Sequence, residues 1–120
     1  MTTAIARQPL SASSITGDEI KNRQDDTLGS VQDIMIDCCS GRVAYVVMTS
    51  GGFLGMGNKL FAIPMSALEL DRECKCLRLD ATKSTFESVE GFDKDNWPDF
   101  ASPEWETATH QRFGARPYWE

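Results

Sequence analysis

Apolar and polar residues alternate in short runs between residues 15 and 80, and this pattern predicts a β-rich core. The clearest run covers residues 42–49, where Val43, Tyr45 and Val47 share one face and the residues between them are also apolar or small. A strand that is apolar on both faces is normally covered on both sides. We therefore expect this strand to lie centrally in its sheet, with one layer of the protein on each face.

The other runs, together with this one, predict roughly six short strands, with turn residues every eight to twelve positions, as in a sandwich or barrel. The glycine-containing stretch at residues 29–33 predicts a β-bulge that returns Val31 to the core side. Leu77 and Leu79 are expected to face inward from a hairpin. The predicted strands outside residues 42–49 are residues 15–22, 34–38, 59–63, 69–71 and 76–80, with one helical turn at 65–68.

Two short helices are predicted after the last strand. Ser84 and Glu87 have the spacing of a capping box and would open the first helix. The second covers residues 104–112, since Pro103 favours a helix start and Gly114 favours a helix end.

The last part of the chain, residues 93–120, is rich in proline and aromatic residues and contains all three tryptophans. Disordered tails are normally poor in aromatic residues. We therefore expect this extension to pack, either on its own barrel or on a second copy. The predicted organisation is a flexible lead-in at residues 1–14, a barrel domain at 15–92 and the extension at 93–120.

Composition and charge exclude some classes of function but add little to the predicted fold. The 120 residues fit one domain and carry a net charge of -6. The twelve basic residues are scattered, so direct binding to nucleic acid or to an anionic membrane is disfavoured. Neither a secretory signal nor a membrane-spanning run is recognisable, and the expected location is the cytoplasm.

The four cysteines, Cys38, Cys39, Cys74 and Cys76, are expected to be free thiols in that compartment. Paired zinc ligands normally stand two to four residues apart, and adjacent strand residues point to opposite faces. We therefore predict no metal site and no cofactor.

Catalytic chemistry is also not expected. His110 is the single histidine, lies far in sequence from any nucleophile, and is interpreted as a surface residue of a short helix. The glycine-rich loop at residues 51–57 lacks the Gly-Lys-Ser/Thr ending and following helix of a phosphate-binding loop. The sequence thus predicts a protein that is not an enzyme.

Several segments, taken in order, resemble the PRC-barrel domain over residues 15–92: LGSVQD at 28–33, SGRVAYVV at 40–47, GGFLG at 51–55, FAIP at 61–64 and LRLD at 77–80. The resemblance implies a small, highly bent antiparallel β-barrel without catalytic residues. Related domains occur in the cytoplasmic part of the photosynthetic reaction-centre H subunit and in a ribosome maturation factor, where they mainly contact other proteins. The extension is similar to the tail of stand-alone bacterial members.

From these observations we expect a non-enzymatic protein–protein interaction module, acting as a homodimer and with a protein partner that the sequence does not identify. Aromatic and apolar residues are enriched at interfaces. Two other functions stay open: an RNA-processing or ribosome-assembly factor, and a cysteine-based stress sensor. The expected contact residues are Phe53, Leu54, Met56, Trp97, Trp105, Tyr118 and Trp119.

Overall fold

A computed structural model describes residues 10–50, 59–89 and 91–120 of the chain. The mainly β architecture predicted from the sequence is confirmed. The strands of this part of the chain are β1 (Glu19–Lys21), β2 (Thr27–Ile36), β3 (Val43–Thr49), β4 (Leu60–Pro64), β5 (Leu68–Asp71) and β6 (Cys76–Leu79). The helices are α1 (Ala12–Ile15), α2 (Lys83–Glu87) and α3 (Pro103–Phe113), with a 3-10 turn at Met65–Ala67.

The strands form one sheet in the order β4-β3-β2-β1-β6-β5. Four of its neighbouring pairs are antiparallel, but β1 and β6 run parallel, with Ile20 opposite Leu77. The expectation of a purely antiparallel sheet is therefore wrong at this pair. Parallel neighbours need a long crossover, which leaves no local turn signal in the sequence.

Chain connectivity forces the sheet to bend. The turn Met65–Ala67 is the whole connection between β4 and β5, the two outermost strands. In a flat sheet of six strands these two would lie roughly 24 Å apart. Leu68 follows Pro64 by four residues, so the Cα atoms of these two residues lie at most about 14 Å apart. The sheet must therefore curl so that its two outer strands approach each other.

The concave side of the curled sheet holds the main hydrophobic core. Every one of the six strands contributes a buried apolar side chain, and Phe86 of α2 closes the cluster. Leu77 and Leu79 are both buried, as predicted. The core consists of Ile20, Leu28, Val31, Val46, Met48, Phe61, Ile63, Leu68, Leu77, Leu79, Phe86 and Val89.

Strand β2 changes register twice against β3. The first shift, between Val31 and Asp33, confirms the predicted bulge and leaves Val31 buried in the core. The second lies between Met35 and Ile36, at the end of the strand. Beyond it Ile36 is 58% exposed and pairs with Val43.

Two predicted element boundaries are wrong for local reasons. The strand predicted from residue 15 begins at Glu19, because α1 precedes it. The amide of Ser14 donates to Ser11 Oγ at 3.2 Å, and Gly17 turns the chain with a φ of 93°. Helix α2 is capped by Thr82 rather than Ser84, since the Thr82 amide donates to Thr85 Oγ1 at 3.3 Å.

The expectation of four free thiols is wrong for one pair. The structure joins Cys74 and Cys76 by a disulfide at the β5–β6 turn. Their Cα atoms lie 5.2 Å apart, which is inside the range that a disulfide requires. Cys38 and Cys39 are free and exposed. Across residues 10–50, 59–89 and 91–120, no helix reaches the length and hydrophobicity of a membrane span.

Candidate interaction surface

The convex face of β3 and β4 is covered by the C-terminal part of the same chain. Tyr45 lies opposite Pro64 and Val47 opposite Ala62 on this face, and all four are buried. Helix α3 packs against β4, and aromatic side chains from residues 92–119 fill the remaining space. β3 is thus covered on both sides, as its two apolar faces predicted.

Tyr45 lies at the centre of this covering layer. Its ring centroid is 5.3 Å from that of Trp105 and 5.4 Å from that of His110. Most of these contacts are edge-to-face or tilted, the arrangements that aromatic pairs prefer. We call this group the aromatic layer; it comprises Tyr45, Phe92, Trp97, Phe100, Trp105, His110, Tyr118 and Trp119.

One carboxylate holds two tyrosines of the layer. The hydroxyl of Tyr45 donates to Glu106 Oε1 at 3.1 Å, and the hydroxyl of Tyr118 donates to the same oxygen. Burial raises the pKa of both phenols above the usual value, and the neighbouring Glu106 carboxylate raises it further. Both hydroxyls therefore stay protonated near neutral pH and can act as donors. The shared acceptor fixes α3 and the C-terminus to β3.

His110 is buried, with 2% of its surface exposed, so its interpretation as a surface residue is wrong. Its Nδ1 lies 2.7 Å from the carbonyl oxygen of Glu106. A carbonyl accepts only, so Nδ1 carries the proton and donates. Its Nε2 has no hydrogen-bond partner in the part of the chain that the structure describes. Glu106 and His110 are four residues apart, and residues with this spacing lie on the same face of a helix. This spacing could have indicated from the sequence that His110 faces the same way as Glu106.

Local sequence explains where α3 begins and ends. Ser102 caps the helix, and its hydroxyl accepts a hydrogen bond from the Trp105 amide at 3.4 Å. Pro103 occupies the first helical turn, and Gly114 ends the helix in the left-handed conformation with a φ of 60°. The predicted helix at residues 104–112 is confirmed to within one residue at each end.

The structure places four of the predicted contact residues in the aromatic layer. Trp105 and Tyr118 both contact the ring of Tyr45. The ring centroid of Trp97 lies 5.2 Å from that of Phe92, and the ring centroid of Trp119 lies 4.9 Å from that of His110. Trp119 is 48% exposed. Phe53, Leu54 and Met56 lie outside the described residues. Sequence reasoning did not single out Tyr45, Phe92, Phe100, Glu106 or His110 as members of the layer.

A groove of about 430 Å³ runs along one side of the layer, between residues 91–98 and α3. Phe92, Trp97 and Trp105 supply its aromatic wall, and Lys59 and Arg112 supply positive charge. Lys59 forms an ion pair with Asp93 at 3.0 Å, so its charge is largely balanced. Among the described residues no histidine or cysteine lines this groove.

Several large apolar side chains of the described residues remain exposed. Ile36 and Val43, at the end of the β2–β3 hairpin, are 58% and 36% exposed. Arg42 Nη1 donates to the carbonyl oxygens of Tyr118 at 3.0 Å and of Glu120 at 3.1 Å. This links the hairpin end to Trp119. We call Ile36, Val43 and Trp119 the hairpin-end patch.

One cluster could supply metal ligands. Asp71, Cys74 and Cys76 place their ligand atoms within 4.8 Å of one another. However, the two sulfurs form the disulfide, and the Asp71 carboxylate accepts hydrogen bonds from the Cys74 amide and from Arg78 Nε, each at 3.1 Å. The cluster is therefore already satisfied by protein groups.

Comparison with known proteins identifies the family. Residues 9–86 match the model of the PRC-barrel domain. No curated protein matches the chain. Among solved structures, the chain is similar to RimM of Pseudomonas aeruginosa, described as a candidate 16S ribosomal RNA processing protein, with 11% sequence identity and a TM-score of 0.46. That match covers 68% of this chain and 50% of the other, so the chain spans about half the length of that structure. Because the family model matches well over half of its residues, the chain belongs to the PRC-barrel domain family.

Proposed function

We propose that this PRC-barrel chain is a non-enzymatic protein–protein interaction module that associates with a second copy of itself through the hairpin-end patch. The observation that carries the proposal is the exposure of Ile36, Val43 and Trp119. Ile36 and Val43 are paired, and Arg42 beside them binds the carbonyl oxygens on either side of Trp119. Removal of apolar surface from water is favourable by about 25 cal/mol per Å², and the lost freedom of the two associating chains offsets part of that gain.

The patch is also held in a fixed shape. Ile36 and Val43 are a cross-strand pair, and Trp119 is packed edge-on against both His110 and Tyr118. Fixed side chains lose little conformational entropy on binding. A two-fold axis at the hairpin end would bring this patch against its own copy, which is the usual geometry of a homodimer.

Ion pairs between basic side chains and carboxylates favour a protein over RNA as the binding partner. Lys21, Arg23, Lys59 and Arg78 each lie within ion-pair distance of a carboxylate. Phosphate binding at these four of the twelve basic residues would have to displace those carboxylates, on a chain whose net charge is -6. RNA processing or ribosome assembly is therefore the weaker of these two proposals.

The test is the mass of the protein in solution, measured by light scattering over a range of concentrations. We expect the wild-type chain to be a dimer at high micromolar concentration and Ile36→Asp to be a monomer, because the new carboxylate would be buried without a partner. Leu70→Asp is the matched control, since Leu70 is 46% exposed on β5, a strand that pairs with neither β2 nor β3. A monomeric wild type, or equal loss of dimer in both variants, would contradict the proposal.

A partner beyond the second copy can be sought at the groove beside Trp97, whose lining includes no residue of the hairpin-end patch. Affinity capture with the wild-type chain, with and without nuclease, would be compared with capture by Trp97→Ala. A protein that survives nuclease and is lost with Trp97→Ala would support the adaptor role. Capture of ribosomal material that disappears with nuclease would favour the RNA alternative.

A further inference from the structure

The β5–β6 turn holds two sulfurs of very different accessibility. Cys74 lies in the turn and is accessible to solvent, whereas Cys76 begins β6 and is 4% exposed. Lys75 between them adopts a φ of 56°, a left-handed conformation that non-glycine residues seldom adopt. A disulfide with one accessible sulfur can be attacked by an external thiolate at that sulfur only.

We propose that Cys74 and Cys76 form a thiol–disulfide exchange site, with Cys74 as the sulfur that reacts with the external thiol. The co-reactant class is a low-molecular-weight thiol that carries carboxylates. This inference is independent of self-association through the hairpin-end patch. It concerns one disulfide pair and does not involve Cys38 or Cys39.

The turn does not depend on the disulfide for its shape. Asp71 Oδ1 accepts hydrogen bonds from the amides of Glu73 and Cys74, each at 3.1 Å. Arg78 Nε donates to Asp71 Oδ2 at 3.1 Å, and its Nη1 donates to the carbonyl oxygen of Asn22 at 2.8 Å. Because the disulfide closes a loop around a single intervening residue, it constrains the unfolded chain very little. The bond can therefore open without unfolding the hairpin.

A small groove beside the disulfide suits the proposed co-reactant. It has a volume of about 360 Å³, and both Cys74 and Cys76 line it. Lys75 and Lys21 line it and can attract carboxylates, although Asp18 and Glu19, the ion-pair partner of Lys21, also line it. A thiol with two carboxylates and a short backbone, such as glutathione, matches this size and these cations.

The reaction balances as a two-electron exchange. The external thiolate attacks Cys74 Sγ, the Cys74–Cys76 bond breaks, and the Cys76 thiolate leaves and takes up a proton. A second external thiolate then attacks the external sulfur of the mixed disulfide and releases the Cys74 thiolate, which is protonated in turn. The sum converts one protein disulfide and two external thiols into two protein thiols and one external disulfide, and the reverse reaction reoxidises the protein.

The test uses the full chain in a Cys38→Ser/Cys39→Ser background and glutathione buffers of defined ratio. Samples are quenched with acid and alkylated, thiols are counted by intact mass, and the fold is followed by circular dichroism. We expect both thiols to appear together as the buffer becomes reducing, to disappear on reoxidation, and to leave the dichroism spectrum unchanged. With oxidised glutathione, Cys76→Ser should form the mixed disulfide on the order of ten times faster than Cys74→Ser, because it retains the accessible sulfur.

Two results would overturn the proposal. A disulfide that resists every glutathione ratio in the folded protein, and opens only after unfolding, would be purely structural. Equal rates for the two single-cysteine variants would contradict the assignment of Cys74. If either variant fails to fold, the glutathione titration of the background protein, which retains Cys74 and Cys76, decides whether the disulfide exchanges in the folded protein.

Discussion

Tyr45 connects three parts of the protein through one side chain. Its backbone belongs to β3, its ring contacts Trp105 of α3, and its hydroxyl shares the Glu106 carboxylate with Tyr118. Because the phenols are buried beside a carboxylate, their ionised forms are strongly disfavoured in the folded state. This gives the aromatic layer a measurable dependence on pH.

We expect the free energy of unfolding to fall as pH rises above about 10, the ordinary pKa of tyrosine. The folded-state pKa of Tyr45 and of Tyr118 is raised, so the folded protein keeps both protons while the unfolded chain loses them. Their contribution is therefore complete below pH 10 and is lost as pH rises toward the folded pKa values. Urea unfolding at a series of pH values measures the slope.

The control for this prediction is the double variant Tyr45→Phe/Tyr118→Phe, which contains no tyrosine because the chain has two. Its stability should decline less with pH in the same range. The same slope in variant and wild type would show that the tyrosines do not cause the decline.

At the scale of elements, β2 pairs less regularly with its neighbour than the other long strand, β3, pairs with β4. It is the longest strand, shifts register twice, and approaches β3 closely at Gly29. A Cβ added to Gly29 would lie 2.3 Å from the carbonyl oxygen of Thr49 and 2.7 Å from Met48 Cγ. The first contact is with backbone, which cannot move aside as a flexible side chain could.

We therefore expect Gly29→Ala to lower the free energy of unfolding by about 1–3 kcal/mol or more, as other overpacked sites do. Gly91→Ala is the graded comparison, because its added Cβ would lie no closer than 3.0 Å to Leu60 O and Phe61 Cε1. Urea unfolding of both variants measures the difference. An equal loss of unfolding free energy in the two variants would mean that the close approach of β2 and β3 is not rigid.

At the scale of the whole molecule, the β-domain has two apolar surfaces. The concave core is enclosed by the sheet and α2, while the convex face of β3 and β4 relies on the C-terminal segment. Each aromatic side chain of such a layer buries roughly 150–250 Å². The segment is therefore expected to be part of the folding unit.

Removal of residues 99–120 should expose Tyr45, Val47 and Ala62 and lead to aggregation or loss of cooperative unfolding. The matched control removes Trp119 and Glu120 alone, which leaves Trp105 and Tyr118 in contact with Tyr45. Thermal melts followed by circular dichroism, together with size-exclusion chromatography, compare the two. A shortened chain that melts like the wild type would show that the β-domain is stable without its cover.

The sequence by itself determined most of the local structure and the family. The two apolar faces of β3, the bulge near Val31 and the ends of α3 at Pro103 and Gly114 are encoded by neighbouring residues. Such signals depend on strand and helix periods and on the backbone preferences of proline and glycine, which act over a few positions. The aromatic composition of residues 93–120 also identified the residues that form most of the covering layer.

Only the tertiary structure decided which distant residues meet. The parallel pairing of β1 with β6, the burial of His110 and the central position of Tyr45 all join parts of the chain that are far apart in sequence. These contacts arise because the chain returns to place β6 beside β1 in the sheet and the C-terminal segment folds back over the convex face of β3 and β4. The contacts between distant segments depend on that three-dimensional arrangement, and no short sequence pattern specifies them.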